Sequence, residues 1–277
     1  MSVSSVSKLR ATLKPSQIAA QMYTIREYTR TASDLAESLK KLSAIGYEAV
    51  QFSAIGAMGG ETPEVSPAEA RKMLDDNGLR CVATHRNWDD LVKRTDAEIA
   101  LHHALGCDFT AIGGLPGRYS EQGAAGFRQF VQESAPIIAT LKAAGIRWGY
   151  HNHDHEFVRI LEPDTKSRTR YDIFIDEGGA DFLLEIDVYW AIHAGVSPER
   201  LFERCEGRVP VIHIKDKEVV PKAGPIMAAI GEGNMDWEHI LPACAAAGVE
   251  VYAVEQDICP RYPFDCLKSS FEYLTGG

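Results

Sequence analysis

Six polar residues recur in step along this chain: Ser53, His85, His151, Asp187, His213 and Glu255 each stand six to eight positions after a glycine, at the end of a short apolar run. Runs of Val, Ile, Leu, Phe and Tyr rarely end in an imidazole or a carboxylate, because burying such a group without a partner is costly. Taken singly, each of these residues would cap a strand end or pair with a neighbour. His151, Asp187, His213 and Glu255, however, close four successive runs, and a cation shared among them is an economical partner. Two imidazoles and two carboxylates make a mixed nitrogen and oxygen set that suits Mn, Co, Zn or Fe, whereas Mg prefers more oxygen. A divalent ion so held polarises a carbonyl and eases proton transfer beside it.

The elements that must position these residues repeat as well. At seven places a helical pattern ends, a glycine follows and an apolar run begins at once, with glycines at Gly46, Gly78, Gly106, Gly145, Gly179, Gly207 and Gly248. They lie about 34 residues apart on average, the size of one βα unit. Glycine reaches the left-handed conformation that closes a helix, and the β-branched and aromatic residues after it suit a buried parallel strand. An eighth run, IAAQMYT, precedes the first junction. The pattern predicts an α/β fold, one (β/α)8 TIM barrel over residues 1–277, with an open doubly wound sheet as the alternative. In such a barrel the strand ends that carry the six polar residues form the catalytic face.

Local signals agree. Ser66, Pro67 and Glu69 predict a capped helix start with helix running to Asn77, and Leu35, Leu39, Leu42 and Ile45 form a barrel-facing stripe. Two stretches read as irregular, 152–170 and 216–235, and both follow strands, so both are expected to be lids over the site.

Composition bounds the function. With 277 residues, 45% of them hydrophobic and 25% charged, the chain suits an ordinary globular protein. A net charge of -10 and the lack of a basic run interleaved with aromatics argue against nucleic acid as a partner. No apolar stretch of signal-peptide or membrane-span length occurs, so no membrane partner and a cytoplasmic location are expected. The six scattered cysteines, without a C-x-x-C pair, read as reduced thiols. Self-association into a homo-oligomer stays open.

The segments QMYTIREY, AIGYEAVQF, YHNHDHEF, EIDVYWAIHAG, VIHIKDK, GEGNMDW and VEQD together resemble the sugar phosphate isomerase/epimerase superfamily, the xylose isomerase-like TIM barrels, over nearly the whole chain. Ketose 3-epimerases and inosose dehydratases share that fold. The resemblance implies a divalent metal (Mn, Co, Zn, Fe or Mg) held by one ligand from each of strands five to eight, which carries over to Asp187, His213 and Glu255. It further implies a small sugar or sugar derivative as substrate, isomerised or epimerised by proton transfer beside a metal-polarised carbonyl. Two positions depart from the ketose epimerase pattern. His151 stands where those relatives carry a Glu, with His153 and Glu156 as other candidates for the fifth-strand ligand, and Trp190 stands where they carry a His. With one of the paired carboxylates missing, a lyase or dehydratase acting on a keto-sugar, keto-glycoside or keto-inositol competes with the isomerase. Abasic-site cleavage on the same barrel would need further ligands and a basic groove.

The remaining candidates are weaker signals. Glu255, His153 and Lys215 are the expected catalytic groups: His153 as an acid or base near neutrality, Lys215 as a cation near a developing oxyanion or as a salt-bridge partner of Asp187 or Asp216. Tyr23, Arg26, His85 and Trp190 are expected to bind substrate, His85 alternatively to orient a ligand. Gly231, Glu232 and Gly233 lack the spacing of a phosphate loop and read as lid flexibility ahead of a helix capped by Asp236. His102 and His103 read as structural.

Overall fold

The computed structural model describes residues 12–161 and 168–276. The reading made for the start of the chain, and the part of the first expected lid at 162–167, lie outside these residues.

Eight parallel strands close into a barrel: β1 (Ile18–Gln21), β2 (Ala49–Phe52), β3 (Arg80–His85), β4 (Phe109–Ile112), β5 (Arg147–His151), β6 (Leu183–Asp187), β7 (Val211–Ile214) and, after a hairpin, the eighth barrel strand β10 (Val251–Val254). Around them lie α1 (Ala32–Ile45), α2 (Pro67–Asp76), α3 (Trp88–Lys93), α4 (Thr95–Leu105), α5 (Gly117–Ser120) and α6 (Gly123–Ala143). The set is completed by α7 (Tyr171–Glu177), α8 (Val188–His193), α9 (Pro198–Arg204), α10 (Trp237–Ala246) and α11 (Pro263–Thr275). All seven junction glycines have positive φ, which explains why glycine recurs where helix turns into strand. Leu35, Leu39 and Leu42 are buried between α1 and the barrel. Trp88 and Trp148 pack among Phe130 and Phe182 in the outer core. All six cysteines are free thiols.

The inside of the barrel is layered by the two-residue period of its strands. Its lower layers are small or apolar: Ala19, Ala49, Ala83, Ala111, Ala253, Phe109 and Val211. Gly149 leaves room for Phe109, since a Cβ there would come within 2.7 Å of the Phe109 ring. The next inward positions hold Gln21, Gln51, Glu185 and His213, all fully buried. Register then sets neighbours: His151 stands beside Glu185 and Asp187 beside His213.

Residues 216–235 are more ordered than expected. An antiparallel hairpin, β8 (Asp216–Val220) with β9 (Gly224–Ala228), fills the first half. The Gly-Glu-Gly segment corrects the expectation of flexibility: it closes on Asp216. The Asp216 carboxylate accepts hydrogen bonds from the backbone N–H of Lys217, Gly231 and Met235 and from Trp237 Nε1 at 2.7–3.1 Å. A Cβ at Gly233 would lie 2.2 Å from Asp216 Oδ1, and one at Gly231 1.9 Å from the Tyr273 ring, so these glycines answer to close packing. Asp236 precedes α10 without a side-chain cap and pairs with His239 instead.

Ser66 and Glu69 form the expected capping box, each side chain accepting the other's backbone N–H. Ser66→Ala is expected to lower unfolding free energy by about 1 kcal/mol and Ser66→Asp to leave it nearly unchanged, read from urea denaturation midpoints.

Candidate metal centre and active site

Strand alternation brings the predicted residues to one place. Ligand atoms of His151, Asp187, His213 and Glu255 all lie within 4.8 Å of one another, and so do those of the overlapping set His85, His151, Glu185 and His213. Glu185 was not anticipated, although it sits two residues before Asp187 and must therefore share its inward face.

Lys215 binds the upper cluster together. Its ammonium, with no exposed surface, lies 2.9 Å from Asp187 Oδ2, 2.5 Å from Glu255 Oε2 and 3.0 Å from Asp257 Oδ2. The contact with Asp187 is not aligned for a hydrogen bond, so that buried oxygen lacks a donor. Asp216 is not among the lysine's partners. Burial alone would strip the proton from Lys215, but the carboxylates of Asp187, Glu255 and Asp257 overcome it and raise its pKa.

His213 is the second buried base of the cluster. Its Nδ1 lies 2.8 Å from Glu255 Oε2 and its Nε2 2.9 Å from Gln51 Oε1, with Glu185 Oε2 at 3.4 Å. Burial disfavours its charge, yet Glu185 and Glu255 outweigh that and push its pKa to about 10. Glu185 also accepts from Gln51 Nε2 at 2.7 Å and is hydrogen-bonded to His85 Nε2. Burial would raise its pKa, but His85 and His213 hold it at about 2. Asp187 goes the other way: burial lifts it to about 6 despite Lys215 and His213. Its Oδ1 accepts from Trp190 N at 3.0 Å, so it also caps α8.

In this cluster three buried carboxylates (Glu185, Asp187, Glu255) thus face the ammonium of Lys215 and the imidazole of His213. His151 adds no charge: burial and the neighbouring histidines lower its pKa well below the usual range, and its buried Nδ1 has no hydrogen-bond partner. A neutral imidazole whose Nδ1 has no hydrogen-bond partner, with buried carboxylates of Asp187 and Glu255 beside it, fits a divalent cation.

Of the alternatives at the fifth strand, Glu156 turns away. It accepts from Tyr150 OH at 2.6 Å and His153 N at 2.8 Å, and His155 Nε2 lies 3.0 Å away. Asn152 ties the tips of β5 and β6 together, accepting from Asp187 N at 3.0 Å and donating to its carbonyl. His102 is structural, bridging the Glu98 carbonyl and Thr84 Oγ1. His103 reaches the Ala144 carbonyl.

Above the cluster lies a cavity of about 370 Å³, whose wall includes Tyr23, Ser53, His85, His151, His153, Glu255 and Asp257. That volume is in the range of small-ligand sites. His153 is half-buried, its Nδ1 unpartnered and its pKa lowered chiefly by burial, so it is a neutral base at pH 7. Lys215 lies beneath this wall. Arg26 stacks on Tyr23 and donates to the Asp257 carbonyl, bracing the wall from behind. Trp190 stands 5.5 Å from the His153 ring. Sequence reading missed Gln21, Gln51, Glu185 and Asp257; their signal was the alternation that puts each two positions from an inward residue.

A family model described as xylose isomerase-like TIM barrel matches residues 39–257. A search of curated proteins finds no match. Among solved structures, the chain is similar to a sugar phosphate isomerase/epimerase from Parabacteroides distasonis (24% identity, TM-score 0.76, covering 99% of this chain and 96% of that one). It is also similar to the probable 3-DHS dehydratase AsbF from Bacillus anthracis (12%, 0.67, 94% and 98%). A third is the IOLI protein, solved with a zinc atom (13%, 0.65, 92% and 95%). At these identities the likeness establishes the fold.

Removing the lysine leaves its buried carboxylates uncompensated. Lys215→Met is expected to lower the stability of metal-free protein by about 3 kcal/mol or more in chemical denaturation; an unchanged midpoint would mean the cluster does not depend on it.

Proposed function

This chain belongs to the xylose isomerase-like TIM-barrel family, and on that premise we propose that it is a divalent-metal-dependent isomerase or epimerase of a small keto or aldo sugar. The observation that carries the reading is the convergence of His151, Asp187, His213 and Glu255 beneath a polar, sugar-sized cavity. These four are the proposed ligands, and the zinc atom in the IOLI protein supports a metal on this fold. A bound ion supplies Lewis-acid polarisation of a substrate carbonyl.

The chain's own residues then divide the work. His153, its pKa lowered by burial and its side chain part of the wall, takes the proton from the carbon next to the carbonyl. Glu255, held ionised by Lys215 and His213 against the effect of burial, is the weaker base and faces the cavity from β10, separated from β5 by β7 and β6. A proton taken by one and returned by the other on the opposite face inverts a centre; one returned at the former carbonyl carbon, with the hydroxyl proton of the first carbon passing to the former carbonyl oxygen, isomerises the sugar. The Lys215 charge lies under Glu255, where it favours oxyanion character above it. Tyr23 and His85, on the wall, are the proposed hydroxyl contacts, with Trp190 beside His153.

A second reading is a lyase or dehydratase. It is supported by the wall carboxylates, Glu255 and Asp257, which come from one strand end and do not oppose each other across the cavity. Proton removal by one imidazole followed by loss of a β-substituent uses fewer groups. The dehydratase among the similar structures is in keeping with it.

Incubation with ketoses and keto-glycosides in heavy water, followed by proton NMR, separates the two. Deuterium uptake beside the carbonyl with inversion or isomerisation is expected; release of water or aglycone would favour the lyase, and no exchange on any carbonyl sugar would remove both. Glu255→Gln is expected to keep the fold and abolish turnover, and His153→Gln to lower kcat by about 10²-fold or more. Ligand assignment is read separately by zinc titration: His151→Ala is expected to weaken binding at least about tenfold and Glu156→Gln to leave it unchanged. The reverse result would move the fifth-strand ligand to Glu156.

A further inference from the structure

A second cavity, of about 230 Å³, opens beside the first and shares Ser53, His85 and Arg86 with it. Its remaining wall is largely apolar: Phe52 from the end of β2, Ile55 and Met58 from the loop that follows, and Leu101 and Leu105 from α4. No carboxylate lines it.

The two cavities reward different chemistry. The first is lined by two carboxylates, Glu255 and Asp257, and by the imidazoles of His85, His151 and His153, whereas the second adds to the shared Ser53, His85 and Arg86 only one further polar side chain, Thr84. There, Ser53 apart, the polar side chains are already engaged. Arg86 donates to both Glu98 oxygens at 2.6 and 2.7 Å, Thr84 is bonded to His102 and Thr110, and His85 to Glu185. A sugar ring placed in the second cavity would give up hydrogen bonds to water and regain few, a costly exchange. An apolar group would gain from the same walls. An apolar cavity of about 150 Å³ accommodates benzene, so this one has room for a substituted aromatic ring.

We propose that the substrate is a sugar derivative carrying an aromatic or similarly sized apolar substituent, with the sugar in the first cavity and the substituent against Phe52, Ile55, Met58, Leu101 and Leu105. A bare ketose would leave the second cavity without an occupant. The proposal rests on the reading of the first cavity as the sugar site, and its test needs no turnover.

Binding of methyl and phenyl glucosides, and of the same pair of galactosides, to the purified full-length protein is measured by calorimetry and saturation-transfer NMR. The phenyl member of at least one pair is expected to bind about tenfold or more tightly than its methyl partner, the factor that burial of one ring brings. Leu101→Trp, which fills the cavity from α4, is expected to erase that preference, and Met58→Trp, which fills it from the loop, serves as a second variant should the first not fold. Phenyl glycosides that bind no more tightly than methyl ones, or that do not bind, overturn the proposal; so does a preference that survives in the folded variants. Proton exchange without a phenyl preference would defeat this inference alone, and a phenyl preference without metal binding or exchange would defeat the proposed reaction alone.

Discussion

A lysine with no exposed surface, held by three carboxylates at the mouth of the barrel, is the interaction on which the rest of the site depends. An ammonium is buried only if its lost hydration is returned by charge and hydrogen bonds. Asp187, Glu255 and Asp257 return it, and each is in turn kept from repelling the others by the charge they share. Because Asp187 caps α8 and is tied to Asn152, this ion cluster also sets how the tips of β5, β6, β7 and β10 approach.

Below it, His213 and Glu185 repeat the arrangement one layer down, with Gln21 and Gln51 reaching them from the opposite side of the barrel. The layers grade from alanine and phenylalanine at the bottom to amides, imidazoles, carboxylates and an ammonium toward the top. Such grading keeps most of the interior a packed core while concentrating unsatisfied electrostatics at the catalytic face. Buried carboxylates set beside His151, whose Nδ1 has no hydrogen-bond partner, are what make a divalent ion a natural occupant there.

The surroundings of this centre are built by means that have little to do with charge. The Gly-Glu-Gly segment closes on Asp216 by close approach, so the hairpin after β7 is anchored at its base. On the other side, the end of β2 and the face of α4 leave an apolar recess against the polar cavity. A site with one wet arm and one dry arm selects ligands that are themselves amphiphilic, because each arm penalises the wrong half of the molecule.

Much of this was legible in the residue order. Barrel closure followed from seven glycine junctions, since left-handed φ at a helix end is a local demand that only glycine meets cheaply. Asp187, His213 and Glu255 could be singled out because they stand at matching places in successive units, a matter of counting. What the order left open were partners across the barrel. That Lys215 would pair with Asp187, Glu255 and Asp257 and not with its neighbour Asp216 depends on which face of the strand end each carboxylate takes, and Asp216 is drawn off by backbone N–H groups up to nineteen residues away. His151, His153 and Glu156 could not be ranked by spacing, because a loop breaks the two-residue alternation that makes direction predictable; Tyr150 and the backbone of His153 are what engage the Glu156 carboxylate. Glu185, Gln21 and Gln51 were hidden for the complementary reason. Inside a closed barrel a buried polar group is paid for by strands distant in sequence, and only the tertiary structure says which ones.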